Sequence, residues 1–301
     1  MIRKDKIIFH GAAKKRPVSN GVKMLAPAKI NLFLEVAGRR PDGYHNIETI
    51  FRTVSLYDEL GFSRRKEGIT VKCNIPELRS DKRNLVYRAA ELLKTRLGVA
   101  AGVEIRLKKR IPMGAGLGGG SSDAAAALKG LLKLWKRKVS EKELVRLAAG
   151  LGADVPFFLY GGLAEAKGIG DRIKTIKRSK TDWFLLVNPG FPVSTASVYK
   201  KLKFPLTNKQ KIHKIKQLLA GGSSPEKWGK HIFNRLEEAV LPCHRAIREI
   251  KDTLELMGCR CLMSGSGSTV FAPMSSVTEG ERIRQKLSKF SWDVWLVKSV
   301  S

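Results

Sequence analysis

Pro112-Met113-Gly114-Ala115-Gly116-Leu117-Gly118-Gly119-Gly120-Ser121-Ser122-Asp123, followed by the alanines Ala124 to Ala127, is the stretch on which the reading of this chain turns. Five glycines within residues 114–120 cannot sit inside a strand or a helix without a large entropic cost. A loop whose backbone N–H groups crowd around an anion can use them. The alanine run is well suited to begin a helix. A helix start presents N–H groups without intrahelical partners, and the positive end of the dipole, to the same anion. Ser121 and Ser122 add hydroxyls able to cap that helix, bind phosphate or help hold a metal ion. No G-x-x-x-x-G-K-[ST] occurs, so this is not a Walker A loop. Gly114, Gly116 and Gly119 fit the dinucleotide fingerprint G-x-G-x-x-G, but Pro112, the third consecutive glycine and the Ser-Ser pair are foreign to it. A cradle for a triphosphate is the reading that the physics favours.

Upstream of the loop, Val103, Ile105 and Leu107 alternate as in a short strand. Asn84 is placed to cap a helix running to Leu97, with Val86, Ala89, Ala90, Leu93 and Leu97 on one face and Gly98 closing it. Farther upstream, Ile30, Leu32, Leu34 and Val36 alternate with Asn31, Phe33 and Glu35. Pro41-Asp42-Gly43 then reads as a turn, and Ile47 to Leu56 as a returning strand. Downstream, Ala124, Leu128, Leu131 and Trp135 mark a helix. Ser140-Glu141-Lys142-Glu143 is a capping box opening another, which stops at Gly150-Leu151-Gly152. Beyond about residue 172 the character changes. Strand-like runs at 183–187, 268–272 and 293–298 alternate with helix-like runs near 232–241, 243–257 and 278–289. Ile247, Ile250, Leu254 and Met257 form the apolar stripe of the middle helix. This predicts a second, smaller α+β domain. The expected organisation is a basic, flexible N-terminal extension over 1–23, a first domain over 24–172 carrying the glycine loop, and a second over 173–301.

The 301 residues and the 43% apolar content suit a globular protein with a substantial core. No stretch approaches 18 consecutive apolar residues, and the N-terminus lacks a secretory h-region, so neither a membrane span nor secretion is expected. The four cysteines, Cys73, Cys243, Cys259 and Cys261, form no CxxC pair and have no zinc-ligand spacing with histidine. Reduced thiols and a cytoplasmic setting follow. The net charge of +30 raises the question of nucleic acid or an anionic membrane surface. From Lys200 to His231 there are nine lysines and one acid, Glu226, but no interleaved aromatics of the kind a single-strand binder needs. A solvated basic face is the expectation, and nucleic acid is not expected as the main partner.

Two single residues stand out in a weaker way. Lys29 heads a strand in Pro27-Ala28-Lys29-Ile30-Asn31-Leu32, where a lysine is ordinarily a snorkelling surface residue. Asp154 lies between a helix end and an apolar run in Gly152-Ala153-Asp154-Val155-Pro156-Phe157-Phe158, where an aspartate ordinarily caps or turns.

Taken together, the Lys29 segment, the glycine loop and Leu262-Met263-Ser264-Gly265-Ser266-Gly267-Ser268-Thr269-Val270-Phe271 resemble the three motifs of the GHMP kinase superfamily, over the chain from about Leu25 onward. Arg40-Pro41-Asp42-Gly43-Tyr44-His45 and the Asp154 segment are similar to one branch of it, which acts on a cytidyl-diphosphate substrate in the non-mevalonate route to isoprenoid precursors. The resemblance implies an α+β, two-domain GHMP kinase fold, with an N-terminal α/β domain like domain 2 of ribosomal protein S5 and a ferredoxin-like C-terminal domain. It implies transfer of the γ-phosphoryl group of ATP, with Mg²⁺, to a hydroxyl of a small molecule carrying a cytidine diphosphate group. It implies no protein partner, and it names no protein ligand to the metal, for which Ser121 or Ser122 is a conceivable donor. Lys29 and Asp154 match the catalytic pair, Asp154 as base and Lys29 as its orienting cation. Residues 112–122 match the ATP loop, and Asn84 matches a position near the adenine. Asn31, Tyr44, His45 and Tyr199 match the substrate side, with Tyr44 and Tyr199 sandwiching the cytosine and His45 bonding its edge. Asn234-Arg235-Leu236-Glu237 departs from the Asn-Asp-Leu-Glu common in relatives, which puts any role of position 235 in doubt.

Overall fold

The computed structural model describes residues 21–78, 80–202 and 212–301. The basic extension expected over 1–23 lies outside the described residues except for its last three, and the first strand already begins at Val22.

Two long antiparallel strands, β1 (Val22–Arg39) and β2 (His45–Arg65), form the spine. β3 (Ile69–Cys73) follows, then helix α1 (Leu85–Leu97) and β4 (Gly102–Lys108). Next come α2 (Gly119–Trp135), α3 (Glu141–Leu151), α4 (Val155–Tyr160), β5 (Leu163–Gly168) and β6 (Arg172–Thr175). The order β3-β4-β2-β1 makes one sheet, and β5 and β6 extend it from the other half of β2. β6 carries this sheet across the division expected at residue 172.

The helices form where their ends are chemically marked. The Asn84 side chain accepts from Val86 N at 2.9 Å, and Gly98 leaves α1 in the left-handed region. Ser140 Oγ accepts from Glu143 N at 3.2 Å to start α3. Each such N-cap contributes about 1 kcal/mol. The alanines of α2 have a steric reason. Ala124 to Ala127 are all buried, and a Cβ at Gly130 would lie 2.4 Å from the Phe62 ring of β2. Small side chains let this helix lie close against the sheet, and the glycine loop is therefore delivered to a fixed place.

The second half contributes β7 (Trp183–Asn188), α5 (Thr195–Lys201), α6 (Ile212–Ala220) and α7 (Pro225–Trp228). They are followed by β8 (Phe233–Asn234), α8 (Glu237–Val240), α9 (Arg245–Leu256), β9 (Leu262–Met263), β10 (Val270–Met274), α10 (Val277–Leu287) and β11 (Asp293–Lys298). The strand order β11-β7-β10-β9 is antiparallel throughout. The helix expected near 232–241 is not formed as such. Its first residues become β8, which pairs in parallel with β1 at Phe33 and Leu34, and only Glu237–Val240 is α-helical. The two halves thus interlock, since the second lends a strand to the sheet of the first. A shared core joins them, with Ile30, Leu32 and Phe33 of β1 in the same cluster as Phe184, Leu186 and Phe271 of the second sheet. Among the described residues no helix is long and apolar enough to cross a membrane.

Candidate active site

One cleft of about 1010 Å³ opens between the two halves. Lys29 and Asn31 reach it from β1, the glycine loop and Asn84 from one side, Tyr44, His45 and Asp154 from another, and Tyr199 of α5 from the second half. Of the candidate catalytic, ATP-loop and substrate residues, only Leu117 and Ser122 do not line it; both are buried behind the loop.

The glycine loop is tied down on both sides. Lys29 N donates to Leu117 O at 2.9 Å, Thr269 N to Ala115 O at 3.2 Å, and Val193 N to Gly114 O at 2.8 Å. Ser264 Oγ donates to Gly116 O at 3.0 Å and accepts from Asn31 N at 3.3 Å, so one hydroxyl joins the loop to the strand carrying Lys29. A side chain at Gly116 is impossible without rearrangement: its φ is +77°, and a Cβ would lie 1.8 Å from Ser264 O. At Gly118, with φ +68°, a Cβ would press on both Phe158 and the Lys29 side chain. Helix α2 then begins at Gly119, and its first intrahelical bond runs from Ser122 N to Gly118 O. The N–H groups before it are those that a helix leaves available for an anion.

Lys29 is not a snorkelling surface residue. Its side chain is buried, with Nζ 2.6 Å from Asn31 Oδ1, 3.5 Å from Asp154 Oδ2 and 5.0 Å from the centre of the Phe51 ring. Burial lowers its pKa from the ordinary lysine value, and Asp154 pulls the other way. Asn31 is fixed in turn, its Nδ2 donating to Thr49 Oγ1 at 2.9 Å, while that hydroxyl donates to Phe33 O. Asp154 stands at the N-cap of α4 without capping it, and its carboxylate keeps about a third of its surface open to the cleft. A cation held in a dry setting beside a half-open carboxylate is an arrangement that can bind a hydroxyl and take its proton.

The other end of the cleft differs in part from expectation. Asp42 Oδ1 accepts from Tyr44 N and Gly43 adopts a φ of +85°, which builds the turn. Tyr44 is 60% exposed at the rim, not enclosed in a slot. It is His45 that stacks on Tyr199, with ring centres 4.9 Å apart and planes 25° from parallel. Burial pushes the Tyr199 phenol up and the His45 imidazole down, the latter helped by Arg39.

Several cleft residues carried no signal when the sequence was read. Lys109, three residues before Pro112, is buried with its Nζ against Asp58 Oδ2 and 2.8 Å from Asp123 Oδ2. Asp58 Oδ1 also accepts from the backbone N–H groups of Arg110 and Ile111. Burial pushes the Asp123 carboxyl up to about 7, against the pull of Lys109. Arg39, Arg83 and Lys200 add positive charge to the cleft wall. Arg235, the departure noted above, has a buried partner. Its Nε and Nη2 donate to the two oxygens of Glu35 at 2.7 and 2.8 Å.

Comparison with known proteins agrees with this architecture. The N-terminal domain of the GHMP kinases matches residues 84–162, and their C-terminal domain matches residues 214–291. A 4-diphosphocytidyl-2-C-methyl-D-erythritol kinase of Syntrophus aciditrophicus (strain SB) is 43% identical over 281 residues, 93% of this chain and 99% of its own length. The enzyme of that name from Clostridium kluyveri is 40% identical over 91% of this chain and 99% of its own. A crystal structure of 4-(cytidine 5'-diphospho)-2C-methyl-D-erythritol kinase superposes with a TM-score of 0.79 at 37% identity, covering 93% of this chain and 99% of that one. The chain is a small-molecule kinase of the GHMP class, and within that class it belongs to the 4-diphosphocytidyl-2-C-methyl-D-erythritol kinase family.

Proposed function

We propose that this chain transfers the γ-phosphoryl group of ATP to the 2-hydroxyl of 4-diphosphocytidyl-2-C-methyl-D-erythritol, in the non-mevalonate route to isoprenoid precursors. The observation that carries the reading is the Lys29–Asp154 pair, 3.5 Å apart, in a single cleft between the glycine loop and the His45–Tyr199 rings. In this reading the backbone of 112–122 and the start of α2 hold the phosphates, and Asn84 lies on the adenine side. Asp154 accepts the proton of the attacking hydroxyl. Lys29 keeps Asp154 ionised, orients the hydroxyl and offsets charge that develops in transfer. Positioning and charge neutralisation do most of the work in phosphoryl transfer, so the rigid tethering of loop to strand matters as much as the base.

Mg²⁺ fits the donor set in a limited way. No cluster of three metal-binding side chains occurs among the described residues. Ser121, a hard oxygen donor in the cleft, is the side chain placed to help, so the ion would be held mainly by phosphate oxygens and water. It would neutralise charge on the phosphates. Asn31, Tyr44, His45 and Tyr199 take the cytidine end. Rings 4.9 Å apart leave no room for a base between them, so cytosine stacked on that face of Tyr199 requires His45 to move off it. Tyr44 then closes from the rim, and stacking of this kind is worth ~1–3 kcal/mol. Free thiols at Cys73, Cys243, Cys259 and Cys261 suit a cytoplasmic setting.

The test is ADP release from Mg-ATP with the cytidyl-diphosphate substrate, beside homoserine and mevalonate. Turnover with the cytidine compound alone supports the assignment. Turnover with a control instead overturns the substrate reading and leaves the phosphate loop in place.

A further inference from the structure

Behind the glycine loop lies a group of charges that neither the base nor the phosphate contacts account for. Lys109 follows the last residue of β4, Asp58 belongs to β2, and Asp123 is in the second turn of α2. All three are at least 94% buried. Lys109 Nζ bonds both carboxylates, and Asp58 holds the backbone of Arg110 and Ile111 as well. The chain between Lys109 and Asp123 is the loop itself. The cation therefore clasps the loop across its two ends, and its Nζ would lie 3.0 Å from a Cβ at Gly119, the first residue of α2. Asp123 Oδ1 is buried with no hydrogen-bond partner among the described residues, while its other oxygen is held by Lys109 Nζ. One cation serving two carboxylates would be a poor choice for stability alone, because apolar residues of similar volume commonly do as well.

We propose that Lys109 is a positioning residue for the phosphates of the nucleotide: bound to Asp58 and Asp123, it fixes the distance between the two ends of the glycine loop and the direction of the first turn of α2. The proposal rests on the reading of this chain as an ATP-dependent kinase. Geometry set here acts on the nucleotide and not on the cytidine end, since Tyr44 and His45 lie at the start of β2, far along the strand from Asp58, and Tyr199 comes from α5.

The experiment is steady-state kinetics with each substrate varied in turn, on the wild-type enzyme and three variants, with melting temperatures alongside. Wild-type turnover checks the kinase reading separately. Lys109→Met should raise KM for ATP at least tenfold and leave KM for the cytidine substrate within twofold. Asp123→Ala releases α2 but leaves the Asp58–Lys109 pair satisfied, which spares folding if Lys109→Met does not fold. It should raise KM for ATP at least fivefold, and Asp123→Asn, which keeps an oxygen for Lys109, should recover most of that loss. The proposal is overturned if folded Asp123→Ala retains the wild-type KM for ATP, or if KM rises equally for both substrates.

Discussion

Asp154 and Lys29 divide the work between an open group and a closed one. The carboxylate keeps contact with the cleft, while the ammonium is shut between Asn31, Asp154 and the Phe51 ring. Asp154→Asn preserves the shape and removes the proposed base, so kcat should fall at least ~10²-fold with the affinity for ATP retained, as single-turnover and binding measurements would reveal. A pH profile reads the partner. Because burial lowers the pKa of Lys29, its proton leaves below the ordinary lysine value of 10.5. The alkaline limb of kcat should lie below that value. The sign for stability is the reverse: in that window the unfolded chain binds the extra proton, so the Lys29 contribution to stability rises with pH. Residue identity alone did not separate Lys29 from a surface lysine. The set of motifs separates it by resemblance, and its place beside Asp154, 125 positions away, supplies the physical reason.

At the scale of elements, the caps and alternations read in the sequence are local, and the structure keeps them. Asn84, Gly98 and Ser140 mark helix ends by chemistry that acts within a few residues. The run near 232–241 misleads because β8 is set by a distant strand: Phe233 and Asn234 pair with β1, a preference that no window of sequence contains. β5 and β6 escaped notice for the same reason, being short strands whose partners lie in β2 and in each other. The pairing of β8 with β1 is braced by Arg235 on Glu35, which gives the arginine at position 235 a buried partner. Arg235→Ala should cost ~3–5 kcal/mol in urea unfolding, because it removes the cation bonded to both oxygens of the buried Glu35 carboxylate. The double variant Glu35→Gln, Arg235→Met should regain a good part of that loss.

The whole molecule behaves as two interlocked halves around one cleft. Asp123 holds its proton up to about 7 in the folded state and to about 3.8 in the unfolded chain. Its contribution to stability is thus complete below about 3.8 and is lost as pH rises to about 7. Melting temperatures of the wild type minus those of Asp123→Asn should fall across that interval, and a flat difference would contradict the shift. No sequence pattern announces Asp58, Lys109 and Asp123, whose separations follow neither helical nor strand periodicity. The continuity of the cleft has a practical corollary for ligand design. A nucleotide fragment and a cytidine fragment joined by a short linker would occupy both ends of the same 1010 Å³ space, the second fragment binding at the high effective concentration set by the first. Such a chimera should exceed either fragment in affinity by about a hundred- to ten-thousand-fold, provided its linker threads past Lys29 and Asp154.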